Sequence, residues 1–268
     1  MLTLTDRLRN RIINFLLKKK IAVTPSTSTS ELARLIRALR PVTTDIPLIR
    51  MGPDSDGGYL VPDDLEGIKA CFSPGVSNVA GFEKDCANRG MEVYMADKSI
   101  NELPEKHRKF HFLKKFIAST NDNDFITLDS WVNQVLDDKT GDLLLQMDIE
   151  GFEYETIFSL SDQVKNRFRI IVIEFHWMHL LWSKPYFEVS SRAFRKLLQS
   201  HSVVHIHPNN LGKTVKRNNI EIPELIEITF LRNDRIASRE YTQSFPHPLD
   251  INNTGLNPLV LPESWYRD

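Results

Sequence analysis

Downstream of residue 69 the chain alternates short apolar runs with segments whose apolar residues recur every three or four positions. A run bounded by turn residues reads as a strand, and the 3.6-residue period reads as a helix. Strands are expected at 69–72, 91–96, 110–117, 142–147, 169–175, 201–207 and 224–231, and helices at 80–89, 128–136, 154–160 and 191–199. The runs DLLLQM (142–147) and RIIVIEF (169–175) are apolar nearly throughout, as in strands covered on both faces. The alternation predicts an α/β fold: a parallel or mostly parallel sheet with helices on both faces. In such sheets ligands gather beyond the carboxyl ends of the strands. The residues to inspect are therefore Gly75, Asp97, Asp148, Glu174 and His207.

Upstream the pattern changes. Residues 31–40 read as a short helix stopped by Pro41, after a polar linker at 24–30 (TPSTSTS) with helix-start chemistry at its end. Residues 51–64 (MGPDSDGGYLVPDD) are rich in Gly, Pro and Asp and read as a loop. At the N-terminus Leu8, Ile12, Phe15 and Leu16 fall at helical spacing. Arg7, Arg9, Arg11, Lys18, Lys19 and Lys20 stand against Asp6 alone, a net charge of +5 over the first twenty residues. A basic amphipathic helix of this kind fits an anionic membrane surface, its own domain or a second subunit. The organisation read from these shifts is a helical extension and linker at 1–45, then one α/β domain at 46–268.

Composition narrows the classes. With 268 residues, 41% hydrophobic and 26% charged, the chain can bury a full core. A net charge of −1 gives no electrostatic reason for nucleic-acid binding. Cys71 and Cys86 are too few for a disulfide framework and read as buried small hydrophobes in a reducing compartment. No stretch approaches the ~20 apolar residues that span a bilayer. The apolar run at 12–17 is short, is broken by Asn14 and precedes no small-residue cleavage site, which argues against a signal peptide. The expected location is cytoplasmic, with peripheral contact at the inner membrane face through the basic helix.

The strand ends carry the chemistry. FSPGVSNVAGFE (72–83) places Gly75 after the first strand, where a ligand can approach the backbone and a helix N-terminus. The G-x-G-x-x-G spacing of dinucleotide turns is absent. Asp97 follows about twenty residues later, at the tip of the next strand, where a carboxylate accepts both hydroxyls of a ribose. QMDIEGFE (146–153) sets Asp148, Glu150 and Glu153 directly after a buried strand. Burying an unpaired charge costs several kcal/mol, so Asp148 calls for a ligand, a metal or a cation, whereas Glu153 and Glu155 suit the first turn of a helix. Glu174 and His176 share a strand face, as do His205 and His207, followed by Pro208-Asn209-Asn210. Carboxylates from neighbouring strands with an imidazole nearby suit a divalent ion or a general base.

FSPGVSNVAGFE, the Asp97 strand tip, ITLDSWV (126–132) and LLLQMDIEGFEYETI (143–157) together resemble the FkbM-type S-adenosylmethionine-dependent methyltransferases. RMGPDSDGGYLVP (50–62) and IHPNN (206–210) are similar to a bacterial and eukaryotic subset of that group. The resemblance implies a class I, Rossmann-like methyltransferase fold, a seven-stranded sheet with the last strand antiparallel, and O-methylation of sugar or polyketide-like hydroxyls. It implies that Gly75 and Glu83 line the methionine end of S-adenosylmethionine, that Asp97 holds its ribose, and that Asp148 and Glu150 face the transfer site. Asp129 reads as structural, in the first turn of its helix. Ser-Pro-Gly-Val-Ser (73–77) departs from the family's usual second small residue or acid at this loop.

Methyl transfer to a sugar hydroxyl needs positioning and removal of a proton of very high pKa. The expected base is His176, with Asp148 at the transfer site. Asp148 and Glu174, with His176 or His207 as a nitrogen ligand, form an expected site for Mg or Mn. The acceptor is a sugar, nucleotide-sugar or surface glycan, or another small molecule. An NAD-dependent oxidoreductase and a non-catalytic glycan-binding domain are the competing readings.

Overall fold

The computed structural model describes residues 4–76 and 78–267, with side chains from residue 9 onward. Leu8, Arg7 and Ser77, read above in the basic stripe and the first loop, lie outside the side chains so described. Seven strands form one sheet: β1 (Ala70–Pro74), β2 (Glu92–Ala96), β3 (Phe110–Leu113), β4 (Leu143–Met147), β5 (Phe168–Phe175), β6 (His201–Pro208) and β7 (Ile226–Arg232). Their order is β6-β7-β5-β4-β1-β2-β3. β7 runs antiparallel to both β5 and β6, and the pairings among β1 to β5 are parallel. This mixed seven-stranded sheet is the class I methyltransferase arrangement the pattern and the resemblance lead to. The order reverses between β1 and β4, the switch point where a crevice opens.

Two apolar layers cover the sheet. One face carries α2 (Thr29–Ala38), α4 (Leu128–Val135), α5 (Glu153–Ser159) and α7 (Lys184–Leu198), through Leu32, Trp131, Ile157 and Phe194. The other carries α3 (Gly81–Asn88) and a hairpin of Leu48–Met51 with Tyr59–Pro62, through Phe82, Met51 and Val61. The hairpin's second strand and turn fall within the Gly-, Pro- and Asp-rich stretch at 51–64 that the sequence presents as a loop, and its first strand begins just before it. Its four-residue strands are too short for a periodicity signal. Free Cys71 and Cys86 are buried in this second layer.

α2 starts on Ser28, which forms a capping box with Glu31. It is grouped with the extension in the sequence, yet it buries Leu32, Leu35, Ile36 and Leu39 in the core. The strand expected over 110–117 is divided. β3 stops at Leu113 before Lys114-Lys115, and Phe116–Ile117 pairs with Phe125–Ile126 in a separate ribbon. α7 begins earlier than its apolar stripe, at Lys184, with a proline in its first turn where a missing N–H costs nothing.

Candidate active site

β1 ends at Pro74, and Gly75 follows in the left-handed region at φ +89°. A Cβ at Gly75 would lie 1.5 Å from the Asp148 carbonyl oxygen, so glycine alone permits this approach of the β1 and β4 ends. Gly75 N–H donates to Ala96 O (3.0 Å) and Asp148 N–H to Pro74 O (3.2 Å), which ties the ends of β1, β2 and β4 together. Above them opens a cavity of ≈ 480 Å³ lined by Gly75, Asn78, Asp97, Ser99, Ile100, Asp148 and Glu150. Its apolar wall is Phe116, Ile117, Phe125 and Phe152, with the Phe125 and Phe152 rings stacked at 6.0 Å. The ribbon that interrupts the third strand supplies two of these rings. Asp97 is held against the cavity because its Oδ1 accepts both the N–H (2.7 Å) and the hydroxyl (2.6 Å) of Ser99.

Glu83 does not line this cavity. It is buried in the first turn of α3, with Oε1 2.5 Å from Ser73 Oγ, which also lies 2.6 Å from Gln146 Oε1. One serine proton cannot serve two acceptor oxygens. Burial pushes the Glu83 carboxyl up, the direction that favours a proton within this pair. Gln146 Nε2 donates to Tyr59 Oη (3.2 Å), so this chain of bonds braces β1, β4 and the hairpin from below.

Asp148 belongs to a second assembly as well as to the cavity. One ligand atom from each of Asp148, Glu174 and His176 lies within 4.8 Å of the others, and Asp56, Glu174 and Glu227 form a second such group sharing Glu174. Sheet register produces the overlap. Glu174 on β5 lies directly opposite Glu227 on β7, and Glu227 lies opposite His207 on β6. His176 Nδ1 is 3.0 Å from Glu153 Oε1, and its Nε2 is 3.8 Å from Asp148, 3.3 Å from Glu150 and 3.9 Å from Glu174. Glu153 is fully buried and its Oε1 also accepts the Gly151 N–H (2.9 Å). A carboxylate there fixes the ring, with the Nδ1 proton toward Glu153 and Nε2 toward the cluster. Asn209 Nδ2 lies 3.3 Å from both oxygens of Glu174, and Asn253 Nδ2 donates to Glu227 (2.5 Å).

The electrostatics are those of a site short of positive charge. Burial pushes Asp148 up to about 7 and Glu227 up to about 8, and it raises Glu174 well above the carboxylate range with help from the Asp148 and Glu227 charges. Burial disfavours the His176 imidazolium, but the Glu153 bond and the Asp148 and Glu174 charges outweigh it and carry His176 to about 9. Asp148 Oδ1 is buried without a hydrogen-bond donor. The donor set of hard oxygens and one imidazole fits a divalent cation.

His207 falls outside both groups. Its Nε2 is 3.2 Å from Asn253 Oδ1 and its Nδ1 3.5 Å from Asp250, which also sits 2.8 Å from His205 Nε2. The C-terminal segment thus takes up the β6 histidines, which sequence spacing could not show. Asp129 accepts from the backbone and hydroxyl of Ser161, a structural tie to the next helix. Asp56, Glu227 and Asn253 are not singled out in the sequence, and Glu153 reads there only as an acid of a first helical turn. Glu227 had a signal: a lone carboxylate within the apolar run IEITFL, where burial is costly.

Trp177 directly follows His176. It holds φ +57°, ψ +30°, in the left-handed region, and is 48% exposed. A Cβ at Gly151 would lie 2.3 Å from its ring, so glycine alone lets the indole pack against the turn after Asp148.

Residues 75–201 match the family model of the methyltransferase FkbM domain. Among solved structures, an Anabaena variabilis protein described as a methyltransferase from an antibiotic biosynthesis pathway is 14% identical, with a TM-score of 0.30. The match covers 53% of this chain and 60% of that one. A Pyrococcus horikoshii protein described as an RNA methyltransferase is 10% identical, with a TM-score of 0.33, over 77% of this chain and 98% of that one. Among curated proteins none matches the chain.

Proposed function

We propose that this chain, whose residues 75–201 match the family model of the methyltransferase FkbM domain, transfers the methyl group of S-adenosylmethionine to a hydroxyl of a sugar, nucleotide-sugar or surface glycan. The observation that carries the reading is the position of Asp148, which lines the cavity and also belongs to the cluster around His176. A donor in the cavity and an acceptor over the cluster would meet at this residue. Within the cavity Asp97 suits the ribose hydroxyls, the phenylalanine wall suits adenine, and the close backbone at Gly75 suits the methionine end.

Methyl transfer is an in-line displacement with a neutral thioether as leaving group, so the protein's work is to position the acceptor and take its proton. With its Nδ1 proton held by Glu153, His176 turns Nε2 to the acceptor; the surrounding acid charges carry it to about 9, so it accepts the hydroxyl proton there once a cation offsets those charges or the pH exceeds that value. Asp148 and Glu174 would hold a divalent ion such as Mg or Mn, which would lower the pKa of a bound hydroxyl and offset the charge around His176. The sugar class is supported by Trp177, whose exposed indole suits the C–H face of a pyranose, and by Asn209 beside Glu174 for its hydroxyls.

Calorimetric titration tests the cofactor. S-adenosylmethionine should bind and NAD should not, and Asp97→Ala should weaken binding by ~2 kcal/mol or more, the scale of a lost charged hydrogen-bond pair. Binding of NAD alone, or unchanged affinity in a folded Asp97→Ala protein, would overturn the assignment.

A further inference from the structure

Residues 7–30 carry six cations and no carboxylate. Four of the cations lie within α1 (Leu4–Lys18) and two, Lys19 and Lys20, follow it, Lys20 in the left-handed conformation at φ +60°. Along residues 9–23 only Ile13 and Leu16 are even half-buried. Phe15 is 60% exposed and Ile12 52%, and Leu17, Ile21 and Val23 are exposed as well. Burying such side chains is favourable, so leaving several of them in water within one short stretch carries a standing cost. The chain is anchored at Thr24–Thr27, beginning with Thr24 Oγ1 2.9 Å from Ser183 Oγ. Ser26 bridges Ser183, Thr27 N–H donates to Trp182 O (2.9 Å), and Thr27 Oγ1 donates to Leu181 O (2.7 Å).

We infer that α1 and the residues after it form a landing surface for an anionic lipid bilayer, with Ile12, Phe15 and Leu16 entering the acyl boundary and the arginines and lysines meeting the headgroups. Charge decides among occupants. A second copy of the same helix would bring six more cations against these, whereas an anionic leaflet attracts each of them. No helix among the described residues is long and apolar enough to cross a membrane, so the contact is peripheral. The anchoring point gives the contact a consequence. Leu181, Trp182 and Ser183 follow Trp177 by a few residues, so the linker from α1 joins the segment that leaves β5 on the side of His176 and Trp177. A bilayer-bound protein would therefore hold that side close to molecules presented at the surface.

Sedimentation of the full chain with vesicles tests this. Vesicles of phosphatidylcholine mixed with phosphatidylglycerol should retain the protein and vesicles of phosphatidylcholine alone should not. Retention should fall as salt rises. Phe15→Glu, and separately the triple change Lys18→Glu, Lys19→Glu and Lys20→Glu, should each lower retention by roughly tenfold or more while leaving the thermal midpoint unchanged. Absence of retention on anionic vesicles, equal retention on both vesicle types, or insensitivity to both variants would overturn the inference. So would a concentration-dependent dimer that Phe15→Glu dissociates, since the face would then belong to a second copy.

Discussion

At the scale of single residues, burial does more than sequence identity to set behaviour. The chain has eight histidines, and their neighbourhoods separate them. His176 is surrounded by carboxylates and pushed up, while His201 is enclosed by apolar residues and pushed down to about 4 by burial. His201 donates from Nε2 to Phe168 O at 2.7 Å and so joins β6 to the start of β5. An unfolded histidine takes its proton near pH 6.5, before the folded one does. The unfolded chain is therefore favoured as pH falls from about 6.5 to about 4, at a cost of up to about 3 kcal/mol. Glu83 and Glu227, raised by burial, act in the opposite direction. A comparison with His201→Asn isolates the histidine. Between neutral pH and about pH 4.5, wild type should lose more stability than the variant by roughly that amount in urea unfolding. Parallel losses would show that His201 remains hydrated.

At the scale of elements, local signals placed helices and strands but not what each packs on. Ser28 and Glu31 announce the start of α2 in the sequence, and the capping box is present. Whether that helix is an appendage or part of the body is settled by Leu32 and Leu39, both fully buried against the sheet layer. Ser28→Ala should therefore lower the stability of the whole domain by about 1 kcal/mol, measured as a shift of the single unfolding midpoint at unchanged slope. A separate early transition confined to α2 would contradict this packing. The interrupted third strand is the opposite case. Lys114-Lys115 break an aromatic run that reads as one strand, and the freed Phe116 becomes part of the cavity wall.

At the scale of the molecule, the acid cluster is a product of assembly. Asp56 comes from the hairpin turn, Asp148 from the end of β4, Glu174 from β5 and Glu227 from β7. Carboxylates this close repel unless one takes a proton or a cation intervenes. The cation reading predicts that exhaustive chelation abolishes methyl transfer and that added Mg or Mn restores it. It further predicts that Asp148→Asn and Glu174→Gln each prevent rescue, while S-adenosylmethionine still binds. Full activity in excess chelator would leave the carboxylates as hydrogen-bond acceptors and His176 as the sole base.

The sequence by itself determined the alternation of strands and helices, the glycine at the first strand end and the acids after β2, β4 and β5. These are readable because periodicity and turn chemistry are local. Only the tertiary structure decided which of those acids meet. Glu153 reads as an acid favouring a helix N-terminus, and it becomes the buried partner of His176 once β5 is laid beside β4. Glu227 and Glu174 stand more than fifty residues apart in the chain and become neighbours through the β5–β7 register. His207 loses its place as a candidate ligand to Asn253 and Asp250, brought in by the C-terminal segment. A residue's spacing along the chain fixes the face it shows, but the groups opposite that face are chosen by register and packing between distant segments.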